Sequence, residues 1–357
     1  MTADDPTLPA PIARAAAEGA PSPEILAALR DPATYPEPPG VLAARETHMS
    51  CVFLTDRFVY KLKKPVRLNS LDYTTLERRY ACCEAEISLN RRLAPTVYLG
   101  VVPLARRADG MLRLEADGPV VEWLVKMRRL AEERMLDIAL NRGTATRADV
   151  GRAAALLAGF FAAAAPERLA DAPYLGRFAH DLALDRAMLC DPAFRLADAA
   201  PDRLLDRLGL WLETRRDALL ARLHAGSVIE GHGDLRPEHI FLGPPPAVID
   251  GLEFDRTLRL LDPAEEIAFL ALECDRLGAP WAGAIFRDRC ARARGAAPPD
   301  EVAAFYTAFR AVLRARLCVG HLRDADSRGA DTWLTRARWY LDRAWAAAGT
   351  LSPPAGQ

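Results

Sequence analysis

Residues 229–255 read IEGHGDLRPEHIFLGPPPAVIDGLEFD and hold two acids, Asp234 and Asp250, that each close a short apolar run. The Pro-rich bend between them predicts a β-hairpin, which would fix both carboxylates near the mouth of a cleft. One carboxylate can then accept a proton from an attacking hydroxyl while the other holds a metal on a nucleotide. That division of labour is the layout phosphoryl transfer requires.

The elements that must position these acids come from the rest of the chain. Its 357 residues suffice for one large domain or two lobes with an ample core. With 47 Lys and Arg against 48 Asp and Glu, the formal charge is −1. That balance gives no electrostatic reason to expect nucleic acid or a membrane as partner. Half the residues are hydrophobic, so the chain is globular rather than disordered.

The seven cysteines (Cys51, Cys82, Cys83, Cys190, Cys274, Cys290 and Cys318) form no CxxC pair and follow no regular spacing, which predicts reduced thiols. Cys82 and Cys83 are adjacent, but helix neighbours point about 100° apart, so packing rather than redox pairing is expected. The opening MTADDPTLPA has acids where a signal peptide needs basic residues. The apolar stretch 153–165 falls short of the roughly 20 residues a bilayer demands. A soluble, cytoplasmic protein is the expectation.

Residues 1–40 are Pro-rich, with a helix expected near Ser22–Arg30, where Ser22 would cap and Pro23 would start it. Strands are expected at 51–54 and 58–62, joined by a turn at 55–57, and at 97–104, 111–114 and 119–127. A helix over 76–93 interrupts them. Helices are expected at 146–164, 176–189, 202–225, 263–277, 280–292, 300–320 and 330–348. The organisation expected is an extension (1–40), a sheet lobe with one helix (41–127), a helical lobe (128–349) and a flexible tail (350–357). This is an α+β, bilobal plan with a small antiparallel sheet, and its ligand is expected between the lobes.

His232-Gly233-Asp234-Leu235-Arg236-Pro237-Glu238-His239-Ile240 resembles the catalytic loop of the aminoglycoside phosphotransferase and choline kinase group within the protein-kinase-like superfamily, usually written H-G-D-L-H-P-x-N-I. Val248-Ile249-Asp250 is similar to that group's metal-binding strand end, and the block at 262–268, DPAEEIA, to its D-P-x-x-D-L-A helix start. The likeness extends to 46–50, 59–66, 84–95 and 98–103, which are similar to an uncharacterised bacterial subgroup sometimes fused to a P-loop ATPase domain. The chain has no GxxxxGK[ST], so it would correspond to the kinase-like half, with a P-loop ATPase as a partner by analogy. The resemblance covers roughly residues 41–345. It implies the bilobal kinase-like fold and use of ATP with Mg²⁺ or Mn²⁺, but no particular acceptor.

Alone, Asp234 in a Gly-Asp-Leu context reads as a turn or cap residue. With Asp250 sixteen residues on and matching blocks on both sides, it reads as the catalytic base, and Asp250 as the metal ligand. The resemblance implies that His232 holds the loop backbone. It implies that Lys61 contacts phosphate, with Glu86 as its helix partner. Lys63 shares the strand parity of Lys61 and is the alternative, whereas Lys64 points the other way. Met127 and Arg128 fall where the interlobe hinge would meet adenine. Asp262 is expected to cap the helix at Pro263. Glu253 and Asp255 fit equally well near the metals or on a solvated loop.

Two departures from the pattern stand out. His239 occupies the position of an asparagine that would serve a second metal; because imidazole suits Mn²⁺ or Zn²⁺ better than Mg²⁺, the readings open are an altered metal preference, a water-mediated contact, or a site that binds nucleotide and turns over slowly. No glycine lies between Gly40 and Gly100, so no Gly-rich flap closes on phosphates. Thr47 and Ser50, with His48 between them, are the substitutes for it.

These readings converge on an ATP-dependent phosphotransferase acting on a hydroxyl of a small molecule. The rival is a weakly active or inactive nucleotide-binding module. Modification of a protein side chain ranks last, because the short segment between Asp250 and Asp262 leaves little room for a peptide platform.

Overall fold

Val, Phe and Tyr recur through the first third of the chain in strand-like runs, and in the computed structural model they build one antiparallel sheet. The structure describes residues 20–47, 49–68, 71–323 and 329–351. The segment before residue 20, His48 and the tail from 352 lie outside the described residues. By internal packing the chain divides into two compact units. The first comprises the described residues up to Ile138 together with Glu238–Asp255, and the second comprises Ala139–Pro237 with the residues from Arg256 onward.

The first unit opens with helix α1 (Pro23–Leu29), begun by a proline whose missing N–H costs nothing there. Ser22 stands at its N-cap position, but its hydroxyl makes no capping bond. Strands β1 (Ala43–Glu46), β2 (Ser50–Leu54) and β3 (Phe58–Lys63) follow, then the short β4 (Arg67–Leu68) and β5 (Leu71–Asp72). The turn at 55–57 is closed by Thr55, whose hydroxyl accepts from the Phe58 N–H at 3.0 Å. Helix α2 (Leu76–Asn90) precedes β6 (Tyr98–Arg106), β7 (Leu112–Leu114) and β8 (Val120–Arg128). The six-stranded sheet runs β1-β2-β3-β8-β6-β7. Its strands alternate, as a period of two dictates. Tyr60, Leu62, Leu104 and Leu124 pack with Leu29 of α1, while Val125 packs with Cys83 and Ile87 of α2.

Helix α3 (Leu136–Asn141) was not foreseen. In the second unit, α4 (Arg147–Ala163), α5 (Asp171–Leu189) and α6 (Pro201–His224) lead to strand β9 (Ile229–Glu230). The expected helix over 176–189 in fact begins at Asp171. Pro173 reads as a breaker in the sequence, yet in the first turn of a helix a proline forfeits no internal hydrogen bond.

The predicted hairpin is present as β10 (Ile240–Phe241) paired with β11 (Ala247–Val248), and it belongs to the first unit. There Phe241 bridges to Met135, the Leu242 N–H donates to the Arg134 carbonyl at 2.9 Å, and the Val248 N–H to the Leu93 carbonyl at 3.3 Å. Strand β12 (Leu260–Leu261) pairs with β9 in the second unit. Helices α7 (Pro263–Arg276), α8 (Pro280–Cys290), α9 (Asp300–Gly320) and α10 (Ala330–Gly349) complete it.

The core of the second unit packs Trp211, Phe178, Phe305 and Phe309 ring against ring. Buried ion pairs run along α7 as well. Asp262 meets Arg222, Glu265 meets Arg177 and Arg310, and Glu273 meets Arg314 and Arg276. Asp262 also caps α7, accepting from the Ala264 N–H at 2.9 Å, with Pro263 in the first turn as expected. The α+β class anticipated from the sequence is the one observed. All seven cysteines are free thiols, and among the described residues no helix is long and apolar enough to cross a membrane.

Candidate functional site

Within the first unit, strand parity puts Lys61 and Lys63 on one side of β3, alternating with Leu62. That side faces α2, where Glu86 is fully buried. The Lys61 ammonium lies 3.0 Å from Glu86 Oε1 and 2.7 Å from Asp250 Oδ1. Lys63 pairs with the other oxygen of Glu86 and with Glu253. His239 Nε2 stands 3.7 Å from Asp250 Oδ2. A chain of alternating charge therefore runs Glu253, Lys63, Glu86, Lys61, Asp250, ending at the His239 imidazole. Lys64, on the opposite face, pairs instead with Glu46 at 2.6 Å.

Asp250 has φ of 64°, in the left-handed region that Asp tolerates better than most residues. Two hydrogen bonds hold the backbone there. The Asp250 N–H donates to the Tyr98 hydroxyl at 3.0 Å, and the Gly251 N–H to Asn90 Oδ1 at 2.8 Å. Burial alone would raise the Asp250 carboxyl, but Lys61 and His239 outweigh it and hold the group far below the usual carboxylate range. Burial likewise opposes charge on Lys61, yet Asp250 and then Glu86 keep its ammonium protonated well beyond the ordinary lysine range. Both groups are therefore charged at neutral pH.

No set of three or more His, Cys, Asp or Glu among the described residues could hold a metal ion. Asp250 and His239 form a two-donor set instead. Such a set fits an ion that arrives carrying phosphate oxygens and water, as Mg²⁺ does, rather than a caged resident metal.

The second unit carries the other acid. Asp234 is buried, its Oδ2 3.0 Å from Arg236 Nε, and its N–H donates to His232 Nδ1 at 3.3 Å. His232 is itself buried. What sequence reasoning missed is Glu266 of α7. Its carboxylate accepts from the N–H groups of both His232 and Gly233, gripping the loop from below. A Cβ on Gly231 would come within 2.8 Å of Glu266 Oε2, so any larger residue there would force the carboxylate or the loop to shift. Gly233 sits at φ 89°, a second position that favours glycine. Burial pushes the Glu266 carboxyl up to about 7, against the two backbone hydrogen bonds and the charge of Arg310. The sequence signal was the last acid of the 262–268 block, which was read only as a helix start.

The remaining expected contacts fall as follows. Ser50 is fully buried and its hydroxyl has no hydrogen-bond partner among the described residues, so it offers no exposed donor to a phosphate. The Thr47 hydroxyl is spent within its own turn, accepting from the Ser50 N–H at 3.0 Å. His48 lies outside the described residues. Met127 and Arg128 are the last residues of β8, with Met127 paired to Val59 and Tyr98 and Arg128 to Phe58. Glu253 is not a solvated loop charge, since its side chain is 10% exposed and pairs with Lys63.

No family model matches the chain. Uncharacterised proteins of Mycobacterium tuberculosis and Mycobacterium bovis are each 32% identical to it over 291 residues, or 80% of this chain and 57% of theirs. The chain thus spans little more than half the length of the curated relatives it matches. Among solved structures it is similar to a choline/ethanolamine kinase family protein from Mesorhizobium loti, at 15% identity and TM-score 0.45 over 94% of this chain and 98% of that one. It is also similar to a choline kinase from Cryptosporidium parvum, at 12% identity and TM-score 0.46 over 87% and 90%. A third is an aminoglycoside phosphotransferase from Streptomyces rimosus solved with ADP and streptomycin, at 17% identity and TM-score 0.40 over 75% and 90%. The structural neighbours are choline kinase-like and aminoglycoside phosphotransferase proteins.

Proposed function

We propose that the protein is an ATP-dependent phosphotransferase that moves the γ-phosphoryl group to a hydroxyl of a small molecule. The observation that carries this reading is the Lys61 ammonium, bonded at once to a helix carboxylate (Glu86) and to a left-handed loop aspartate (Asp250). A lysine held between two acids is charged, aimed and partly desolvated, which is what contact with nucleotide phosphates needs. Asp250 and His239 would hold Mg²⁺ or Mn²⁺, and the bound ion would neutralise charge on the phosphates. Asp234 would orient the acceptor hydroxyl and take its proton, worth about 10²–10⁴-fold in rate. Arg236 keeps one Asp234 oxygen occupied, and Glu266 fixes the loop that carries both.

Asp234→Ala and Asp250→Ala test the reading together. The first should abolish transfer and leave ATP affinity near that of the parent. The second should weaken binding of the metal–nucleotide complex itself. Parental transfer rates in both variants would overturn the assignment.

A second reading, a nucleotide-binding module with little turnover, is favoured by the buried Ser50, the engaged Thr47 and the imidazole at position 239. Tight ATP binding without transfer to any member of a metabolite pool would select it. Association with a P-loop ATPase partner belongs to either reading and is supported by the motif resemblance alone.

A further inference from the structure

Glu86 carries a lysine on each side of its carboxylate, and nucleotide contact accounts for only one of them. The side chain of Lys63 is 1% exposed against 11% for Lys61, so Lys63 is too deep to meet a ligand. It reaches Glu253 instead, three residues past Asp250. The same corner buries Val66, Tyr73 and Cys82, with Phe254 packed against them. The Cys82 thiol points at the Glu253 carboxylate from 3.7 Å. Two residues before Glu253, the Gly251 N–H is bonded to Asn90 on α2, the helix that also bears Glu86.

The segment that follows Asp250 is therefore tied down by a backbone hydrogen bond, an ion pair and an aromatic side chain. Charge balance gives the ion pair its purpose. Removing Lys63 would take the ion-pair partner from a largely buried Glu253 carboxylate that lies close enough to repel Asp250 and to draw on Lys61. With Lys63 in place, Glu253 has an ion-pair partner, a lysine it shares with Glu86. Lys61 is then left to Glu86 and Asp250.

We propose that Lys63 and Glu253 form a latch that fixes the 250–254 segment to β3 and α2, making Lys63 a positioning residue for Asp250 and Lys61. The role in catalysis rests on the phosphotransferase reading above, but the latch itself does not.

The test uses the full chain with Lys63→Met, Lys63→Arg, Glu253→Gln and the double variant K63M/E253Q. Lys64→Met serves as the control, a neighbouring lysine whose partner is Glu46. Amide hydrogen exchange across 250–254 is followed beside Mn²⁺–ATP affinity. Lys63→Met and Glu253→Gln should each speed exchange at Asp250 and Gly251 by about tenfold, with Lys63→Arg restoring most of the protection. Both changes break the Lys63–Glu253 pair, and Lys63→Met already removes the contact with Glu86 as well, so the double variant should be no worse than Lys63→Met, whereas independent sites would multiply. Mn²⁺–ATP affinity should fall by a similar factor in the single variants and stay unchanged in Lys64→Met.

The double variant removes one cation and one anion together and leaves Glu86 with Lys61, so it covers the case in which Lys63→Met fails to fold. Parental exchange in both singles, or multiplying effects in the double, overturns the latch. A parent that binds no nucleotide yet shows the coupled exchange pattern overturns the phosphotransferase reading and leaves the latch standing.

Discussion

Lys61 and Asp250 lie 189 residues apart in sequence and 2.7 Å apart in space. A contact of such long range and low exposure is made only if the sheet, α2 and the β10–β11 hairpin are all in place. Desolvating an ammonium and a carboxylate is costly, and the pair offsets that cost only because Glu86 adds a second partner and the Asp250 backbone is anchored.

Replacing Lys61 by Met would take the ammonium from Asp250, leaving His239 beside it, and would leave Glu86 with Lys63. Removing one partner of a buried pair costs about 3–5 kcal/mol, and the retained Lys63 places the expectation near the lower end. The measurement is the urea midpoint, with the slope unchanged. A midpoint equal to the parent's would mean the ion pair is not formed in solution.

Glu266 predicts a pH dependence of stability. Its carboxyl is raised from 4.5 to about 7, so the folded state prefers the protonated form. The sign follows from linkage: its contribution is full below pH 4.5 and is lost as the pH climbs through 7, a swing of about 3 kcal/mol. Glu266→Gln keeps an amide oxygen for the loop N–H groups and removes the titration. Relative to the parent it should gain stability at pH 8 and little at pH 5. Parallel melting curves for parent and variant at both pH values would refute this.

Gly231→Ala puts a methyl group within 2.8 Å of Glu266 Oε2, and the loop or the carboxylate must shift. Overpacking of this kind costs about 1–3 kcal/mol. The disturbed loop carries Asp234, so turnover should fall by more than ATP affinity does. A drop in affinity with turnover intact would place the effect elsewhere.

His239→Asn installs the residue that the resembled pattern carries. An amide oxygen suits Mg²⁺, so the ratio of Mg²⁺- to Mn²⁺-supported transfer should rise severalfold over the parent. An unchanged ratio would argue against direct ligation by His239.

Much of this arrangement was legible in the sequence, for identifiable reasons. The 55–57 turn, the hairpin and the α9 limits follow from periodicity and punctuation, which are local signals. Lys61 and Glu86 meet as the motif spacing implied, and strand parity correctly separated Lys64 from its neighbours. The Lys63–Glu253 pair could not be read, because nothing local distinguishes a buried loop acid from a solvated one. Glu266 went unread for a related reason. An acid in the first turn of α7 satisfies the helix dipole, and only the fold shows it reaching back to the loop. The helix expected at 176–189 begins at Asp171, and Pro173 is tolerated because it falls in the first turn.

The hairpin's allegiance has a practical corollary for anyone dissecting the chain. A fragment cut at residue 138 would discard the strands that bond to Leu93, Arg134 and Met135, along with Asp250 and Glu253. It would also expose both lysines of β3 to a half-empty set of counterions. A self-sufficient piece has to be spliced from two separated stretches, so serial truncation from either end is the wrong way to map this protein.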